Sequence, residues 1–316
     1  MSSLNLSIVI PVLNEEKNIP LLYKQLKQVL LNLQKSWEII FIDDGSHDQS
    51  FKILQKLHTH DQRVKVIKFT RNWGKAAAYS AGFQMAQGRI IVTMDSDLQD
   101  DPEDIPRLLK VLSQGYDLVV GWKNTGKSSP AKFLASRFLN HLITFFVGLK
   151  IHDLNCPIKA YRAHLARQLN LYGDLYRYIP ILAHDAGYRI GEIPVQNHPR
   201  RYGRSKYKGG KYFKSLLDFI TIYFLIRYSR KPLHFFGVAG LGFGFLGTII
   251  GFYLLIRKFI YNIEIMKEHG PLLVFAVLLI IVGFQMVSFG LLAEMLTRIY
   301  QREERGEKMC VEKILE

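Results

Sequence analysis

At 316 residues, 48% hydrophobic and 12% aromatic, the chain is too apolar for a disordered protein and long enough to bury a sizeable core. Its net charge of +15 is unevenly placed, because residues 196–231 hold ten Lys/Arg against one acid, Asp218, directly before the most apolar part of the chain. A basic block there points to anionic membrane lipid, and with no nucleic-acid motif beside it nucleic-acid binding is not expected.

Residues 1–125 alternate strand and helix signals. Runs at 7–10, 38–42, 64–69, 89–94 and 117–120 read as strands, separated by helical patterns over 15–34, 48–59, 74–87 and 103–114. That alternation predicts an α/β domain with a mainly parallel sheet covered by helices on both faces. The first strand ends in Pro11-Val-Leu-Asn14-Glu15-Glu16 and the second in Asp43-Asp44-Gly45-Ser46. These carboxylates could accept hydrogen bonds from ribose hydroxyls and a base N–H, although Asp44 and Ser46 are also good helix caps.

The fourth strand runs into acid: residues 89–103 read RIIVTMDSDLQDDPE. On an extended backbone Asp95 and Asp97 face the same way, and Gln99 joins them if the chain stays extended for two more residues. Three oxygen ligands at a strand's carboxyl end suit a hard cation, Mg²⁺ or Mn²⁺, that bridges to substrate phosphates. The plain alternative is a solvated acidic turn.

Further on, the 131–149 stretch is helical in pattern and very apolar, either core or a face resting on a bilayer. Residues 212–228 read as a helix lying in the membrane interface. Two runs, 233–256 and 271–293, contain no Lys, Arg, Asp or Glu; the first, as a helix, would rise about 36 Å. Lys/Arg favour the outer flanks (Arg227, Arg230, Lys231, Arg298, Arg302, Arg305) over the connection, which places both ends in the cytoplasm. The alternative is a buried helical hairpin in a soluble core. Gly242-Phe-Gly244-Phe-Leu-Gly247 matches the dinucleotide fingerprint in letters only, since no strand-to-helix turn leads into it. Gly240/Gly244 and Gly247/Gly251 instead have the spacing of close helix packing, with Gln285 and Ser288 able to hydrogen-bond across it, and they allow a homo-oligomer through the membrane helices. Cys156 and Cys310 fit neither a disulfide framework nor a zinc site, and the amino terminus lacks the basic start of a signal peptide. The first part of the chain is therefore expected inside the cell.

IVIPVLNEE, IDDGS, the RNWGKAAA helix start and DSDLQDDPE, in this order, resemble family 2 glycosyltransferases of the GT-A fold. HDLNCPIKAYR (152–162) and HPRRYGRSKY (198–207), followed by two spans, narrow the resemblance to polyprenyl-phosphate glycosyltransferases, relatives of dolichol-phosphate mannose synthase and bactoprenol glucosyltransferase. It covers essentially the whole chain and implies a GT-A domain over 1–210, an interfacial helix over 211–231, a two-helix transmembrane hairpin over 232–296 and a cytoplasmic tail over 297–316. The implied reaction is metal-dependent, inverting transfer of one hexose from a nucleotide sugar to polyprenyl (undecaprenyl) phosphate at the cytoplasmic face of the inner membrane. UDP-glucose is the expected donor by analogy to bacterial relatives; GDP-mannose and a UDP-N-acetylhexosamine remain alternatives.

The resemblance also implies roles. Pro11, Glu15 and Asp44 would line the base and ribose pocket with Arg71 and Lys75 nearby. Asp95, Asp97 and Gln99 would hold nucleotide and metal, and Asp153 would sit where the acceptor attacks. Arg200, Arg201, Ser205 and Lys206 would close over the phosphates, and Lys123 and Arg137 would take the lipid phosphate. Lys123 stands where an Arg is frequent, and Pro157 where a Gly is expected. A processive polysaccharide synthase is the enzymatic rival, but its Q-x-x-R-W motif is absent from the sequence. A non-catalytic membrane scaffold is the rival from another class.

Overall fold

The structure is a computed structural model describing residues 4–123, 148–199, 232–261 and 264–308, with side chains to 296 in the last segment. It divides into two units, Met1–Ile222 and Tyr223–Glu316. Arg137, Arg200, Arg201, Ser205 and Lys206, the 211–231 helix and nearly all of the 131–149 stretch lie outside the described residues.

The first unit is built on a seven-stranded sheet. Its strands are β1 (Leu6–Val12), β2 (Trp37–Asp43), β3 (Val64–Lys68), β4 (Ile90–Thr93), β5 (Leu118–Lys123), β6 (Lys159–Arg162) and β7 (Ile190–Val195), in the order β3-β2-β1-β4-β6-β5-β7. All neighbours are parallel except β6, which runs antiparallel to both β4 and β5. The continuous apolar runs of β1 and β2 suit strands covered on both faces, and β2 is buried at every position.

Helices α1 (Ile19–Asn32), α2 (Ser50–His60), α3 (Lys75–Met85) and α4 (Ile105–Leu112) connect the first five strands. The α1 stripe Ile19, Leu22, Leu26, Val29 and Leu30 is buried at helical spacing. Gly82 lets α3 press onto the sheet, since a β-carbon there would collide with the Val9 side chain. Two short helices, α5 (Ala163–Gln168) and α6 (Ile179–Asp185), follow β6. Neither β6 nor β7 was expected from periodicity.

The first helix starts later than its apolar pattern predicts, at Ile19 rather than residue 15. Residues 14–16 are instead laced to the second strand's loop. Asn14, at φ +53°, donates its N–H to Ser46 Oγ (2.9 Å), and Glu15 N–H donates to Ser50 Oγ (2.9 Å).

Two buried acids at the amino end of the sheet have close partners. Glu38 accepts from Ser7 Oγ (2.5 Å) and Gln87 N–H (2.7 Å) and pairs with Lys65 (2.6 Å). Asp61 takes two guanidinium bonds from Arg63 (2.8 Å each) and one from Tyr23 Oη (2.8 Å), which hold its carboxyl well below the usual range.

The second unit pairs α7 (Pro232–Tyr261) with α8 (Ile265–Lys308), both long and apolar enough to cross a membrane. Pro271 follows the non-helical His269 in α8. Their outer faces are exposed and apolar: Phe259 is 80% exposed, Phe284 75% and Val238 72%. A soluble-core hairpin would bury such residues. The helices meet along a small-residue seam, where a β-carbon on Gly240 would lie 2.6 Å from Gly283 O and one on Gly247 would lie 2.7 Å from Ala276 O. Gly240 and Gly247 are thus used within one chain. The expected hydrogen bonding across the seam is not found for Ser288, which donates to Phe284 O of its own helix (3.0 Å), and Gln285 is exposed. A hydroxyl that satisfies itself four residues back needs no partner helix.

Candidate functional site

The carboxyl ends of β1, β2, β4 and β5 and the amino end of the antiparallel β6 gather on one rim of the sheet. On β2's side, Asp44 turns its carboxylate to the loop before α3, accepting from Trp73 N–H (2.7 Å) and Gly74 N–H (3.0 Å). Asp44 thus fastens the loop before α3 and caps neither α2 nor α3, against the capping expectation. Gly45 (φ +74°) admits this loop, because a β-carbon there would lie 2.5 Å from the Arg71 backbone. Arg71 stacks 4.1 Å from the exposed Trp73 ring. The next residue after the loop is Lys75, whose ammonium pairs with Asp95. The structure thus brings Asp44, Arg71, Lys75 and Asp95 together along one short path. Pro11 joins them through its carbonyl, which accepts from Ser96 Oγ (3.0 Å), and Glu15 is buried, accepting from Asn18 Nδ2 (2.5 Å).

The acidic turn after β4 does not stay extended. Regular strand ends at Thr93, and Leu98 adopts φ +62°, a conformation costing a residue with a β-carbon about 1 kcal/mol or more. Alternation therefore stops before Gln99, correcting the premise that would place its side chain beside Asp95 and Asp97. Gln99 contributes its backbone, donating N–H to Asp97 Oδ1 (3.2 Å) and accepting from His198 N–H (2.8 Å). Asp95 N–H in turn donates to Asp100 Oδ2 (3.2 Å). Asp100, 2% exposed, pairs with Lys123 at 3.0 Å. Burial pushes the Asp100 carboxyl up against the pull of Lys123, while Lys123 is held above its usual value because Asp100, Cys156 and Asp95 together outweigh its burial. Lys75 behaves likewise toward Asp95, and its ammonium also lies 5.6 and 5.4 Å from the Tyr79 and Tyr176 rings.

Asp153 occupies a turn pinned at both ends. Before it, His152 gives its N–H to Glu192 Oε1 and its ring Nδ1 contacts Oε2 (2.9 Å each), while the ring stacks on Trp122 at 4.9 Å. Within the turn Asp153 Oδ1 accepts from Asn155 N–H (3.0 Å). After it, Pro157 O accepts from Thr93 Oγ1 (2.8 Å) and Cys156 O from the buried Lys159 ammonium. Burial, then Asp100, pushes the Cys156 thiol up to about 12, so it is inert. Asp153 acts electrostatically on Cys156 and Lys159, as do Asp100 and Asp95 respectively, so Asp153 belongs to the same neighbourhood as the acidic turn.

The segment leading to the basic cluster is fastened to that turn. Gln196 N–H donates to Asp104 Oδ2 (2.8 Å), Asn197 bridges to Asp100, and His198 Nε2 contacts Asp101 Oδ2 (2.9 Å). Sequence reasoning missed Asp100, Lys159, Tyr176 and Glu192. The doubled Asp100-Asp101 was a visible signal; the other three resemble ordinary surface residues in the sequence.

No group of three His, Cys, Asp or Glu side chains able to hold a metal occurs among the described residues. The donor set of Asp95 and Asp97 is nonetheless all hard oxygen on one turn. It fits a cation that takes its remaining ligands from a diphosphate and water, not one held in a protein cage.

The chain matches the Glycosyl transferase family 2 model over residues 7–169. It is 37% identical to a dodecaprenyl-phosphate galacturonate synthase of Rhizobium johnstonii, an alignment covering 100% of this chain and 94% of the relative. It is 33% identical to an undecaprenyl-phosphate 4-deoxy-4-formamido-L-arabinose transferase of Photorhabdus laumondii, over 98% and 94%. In fold it resembles glucosyl-3-phosphoglycerate synthase of Mycobacterium tuberculosis, solved with Mn²⁺ and UDP-glucose, at TM-score 0.53 and 18% identity over 71% of this chain and 79% of that one. With the sheet rim, the acidic turn and these alignments in agreement, the chain belongs to glycosyl transferase family 2 and is a glycosyltransferase related to polyprenyl-phosphate sugar transferases.

Proposed function

We propose that this protein transfers a single sugar from a nucleotide diphosphate sugar to polyprenyl phosphate, with inversion at the anomeric carbon. The observation that supports this best is the convergence of Asp95, Lys75, Asp100, Lys123 and the Asp153 turn on one rim of the sheet. In this reading Pro11, Glu15, Asp44 and Arg71 line the nucleoside pocket, and Lys75 and Lys123 set fixed positive charge beside the diphosphate. Asp95 and Asp97 would hold Mg²⁺ or Mn²⁺, which when bound supplies Lewis-acid stabilisation of the departing diphosphate. Arg137, Arg200, Arg201, Ser205 and Lys206 would complete the phosphate contacts.

The attacking group is a phosphate monoester whose second pKa lies near 6, so at neutral pH it is mostly dianionic already. Asp153 accordingly orients the acceptor and shapes local charge more than it removes a proton. For the donor, the relatives' names speak for galacturonate or 4-deoxy-4-formamido-L-arabinose and lend no support to the expected glucose. We take a UDP-uronate as the first donor to test, following the relative of higher identity. The α7–α8 hairpin would anchor residues 1–210 at the cytoplasmic face of the inner membrane, with 211–231 in the interface and 297–316 as a cytoplasmic tail.

The test is a donor panel with the full chain in nanodiscs containing undecaprenyl phosphate, with and without Mn²⁺ or Mg²⁺. Labelled sugar in a lipid-phosphate product, dependent on the cation, is expected. No labelled lipid with any donor, or a labelled polymer, would overturn the reading.

A further inference from the structure

Among the described residues the rim holds three buried or half-buried lysines, of which two form ion pairs. Lys75 has Asp95, and Lys123 has Asp100. Lys159 opens β6, paired with Thr93 of β4 on one side and Val120 of β5 on the other. It is 3% exposed, and its Nζ donates to the neutral carbonyl of Cys156. No carboxylate among the described residues reaches ion-pair distance of it. The remaining segments of this part of the chain, 124–147 and 200–231, contain a single acid, Asp218, among many Lys/Arg.

An ammonium removed from water without a counter-charge is costly, and a bond to one carbonyl does not require a charged donor. Burial is the largest influence and lowers its pKa to about 8. Lys75 from α3 lowers it further, while Cys156 and Asp153 from the preceding turn and Asp95 from the end of β4 partly offset this. The result is a buried amine near the acidic turn and the Asp153 turn, partly neutral around pH 8, whose protonation an incoming anion would favour.

We propose that Lys159 is an anion-binding residue of this site, whose ammonium meets an oxyanion carried by the substrate: the carboxylate of a uronic-acid donor or the phosphate of the acceptor. This rests on the transfer proposed above and assigns Lys159 a substrate contact that the motif resemblance does not give it. A uronate source makes Lys159 a specificity residue, whereas an acceptor source makes it part of the lipid-phosphate subsite.

The experiment is calorimetry at pH 8 on the full chain in nanodiscs, run in two buffers of different ionisation enthalpy, with wild type, Lys159→Met and Lys159→Arg. The ligands are UDP, UDP-galacturonate, UDP-galactose and undecaprenyl phosphate. Wild type should take up protons with one anionic ligand. Lys159→Met, close in volume to lysine, should lose that uptake and ~30-fold or more in affinity for the same ligand. Lys159→Arg should recover most of the affinity without proton uptake, since arginine stays charged. Loss confined to UDP-galacturonate identifies the sugar carboxylate, and loss confined to undecaprenyl phosphate identifies the acceptor.

Three results overturn the assignment: all four affinities within twofold in Lys159→Met, a loss already present with UDP alone, or Lys159→Arg as impaired as Lys159→Met. Absence of any lipid-linked product from wild type would instead defeat the transfer reading, and these binding measurements do not depend on it.

Discussion

The two ends of the sheet bury charge in different ways. At the amino end, Glu38 and Asp61 are held by neighbours whose bonds and ion pairs run between adjacent strands and loops. At the carboxyl end, the acids of one turn share lysines from α3 and β5, and Lys159 has a carbonyl in place of a counter-ion. Charge that finishes a fold is satisfied within it; on the proposed function, the charge at the carboxyl end awaits a ligand. The difference also shows in the backbone, where the carboxyl-end turn contains Leu98 at positive φ. Strain held beside an acidic cluster is expected where geometry serves chemistry.

The sharpest way to break this contrast is to remove one acid at each end. Asp97→Asn should lower kcat/KM by ~10³-fold with little change in thermal stability, as expected when a group holding a catalytic cation is lost. Glu38→Gln should do the reverse, keeping activity while destabilising by about 2–4 kcal/mol in denaturant titrations. Equal effects of the two on activity would erase the distinction.

Next in size, Asp153→Asn should cost ~100-fold or more in turnover. Its remaining rate should stay flat above pH 7, because the acceptor is already a dianion. A rate climbing steeply with pH would restore Asp153 as a proton acceptor.

The Lys123–Asp100 pair sharpens the comparison, since it sits at the functional end but is closed like a structural pair. Lys123→Met alone should destabilise by about 3–5 kcal/mol, by leaving Asp100 buried without its partner. Adding Asp100→Asn should return much of that loss in a double-mutant cycle.

The smallest effect belongs to Asp61. Its carboxyl is held well below the usual range, chiefly by Arg63, so its contribution is present above the unfolded value near 4 and lost as pH falls toward the folded one. Asp61→Asn should be about 1–3 kcal/mol less stable at pH 7. That gap should narrow in melts taken at successively lower pH below about 4.

Much of the first half of the sheet was legible because it depends on local pattern. The apolar runs of β1, β2 and β4 announce parallel strands, and the acids at their ends announce a polar rim. The spans were legible for the same reason, as long charge-free runs. What stayed hidden depends on partners distant in sequence. β6 is four residues, Lys-Ala-Tyr-Arg, with charged ends and no alternation to mark it; only insertion between β4 and β5 makes it a strand. Lys159 reads as a surface lysine until that insertion buries it. The late start of α1 is set by Ser46 and Ser50, some thirty residues away, and the turn at Leu98 defeats an argument that assumed extended backbone.

The antiparallel sense of β6 has a further result. β5 ends and β6 begins on the same rim, on neighbouring strands, so the connection between Lys123 and Lys159 has both feet planted side by side. With both ends fixed on one rim, a change in the length of this connection need not shift any strand against another.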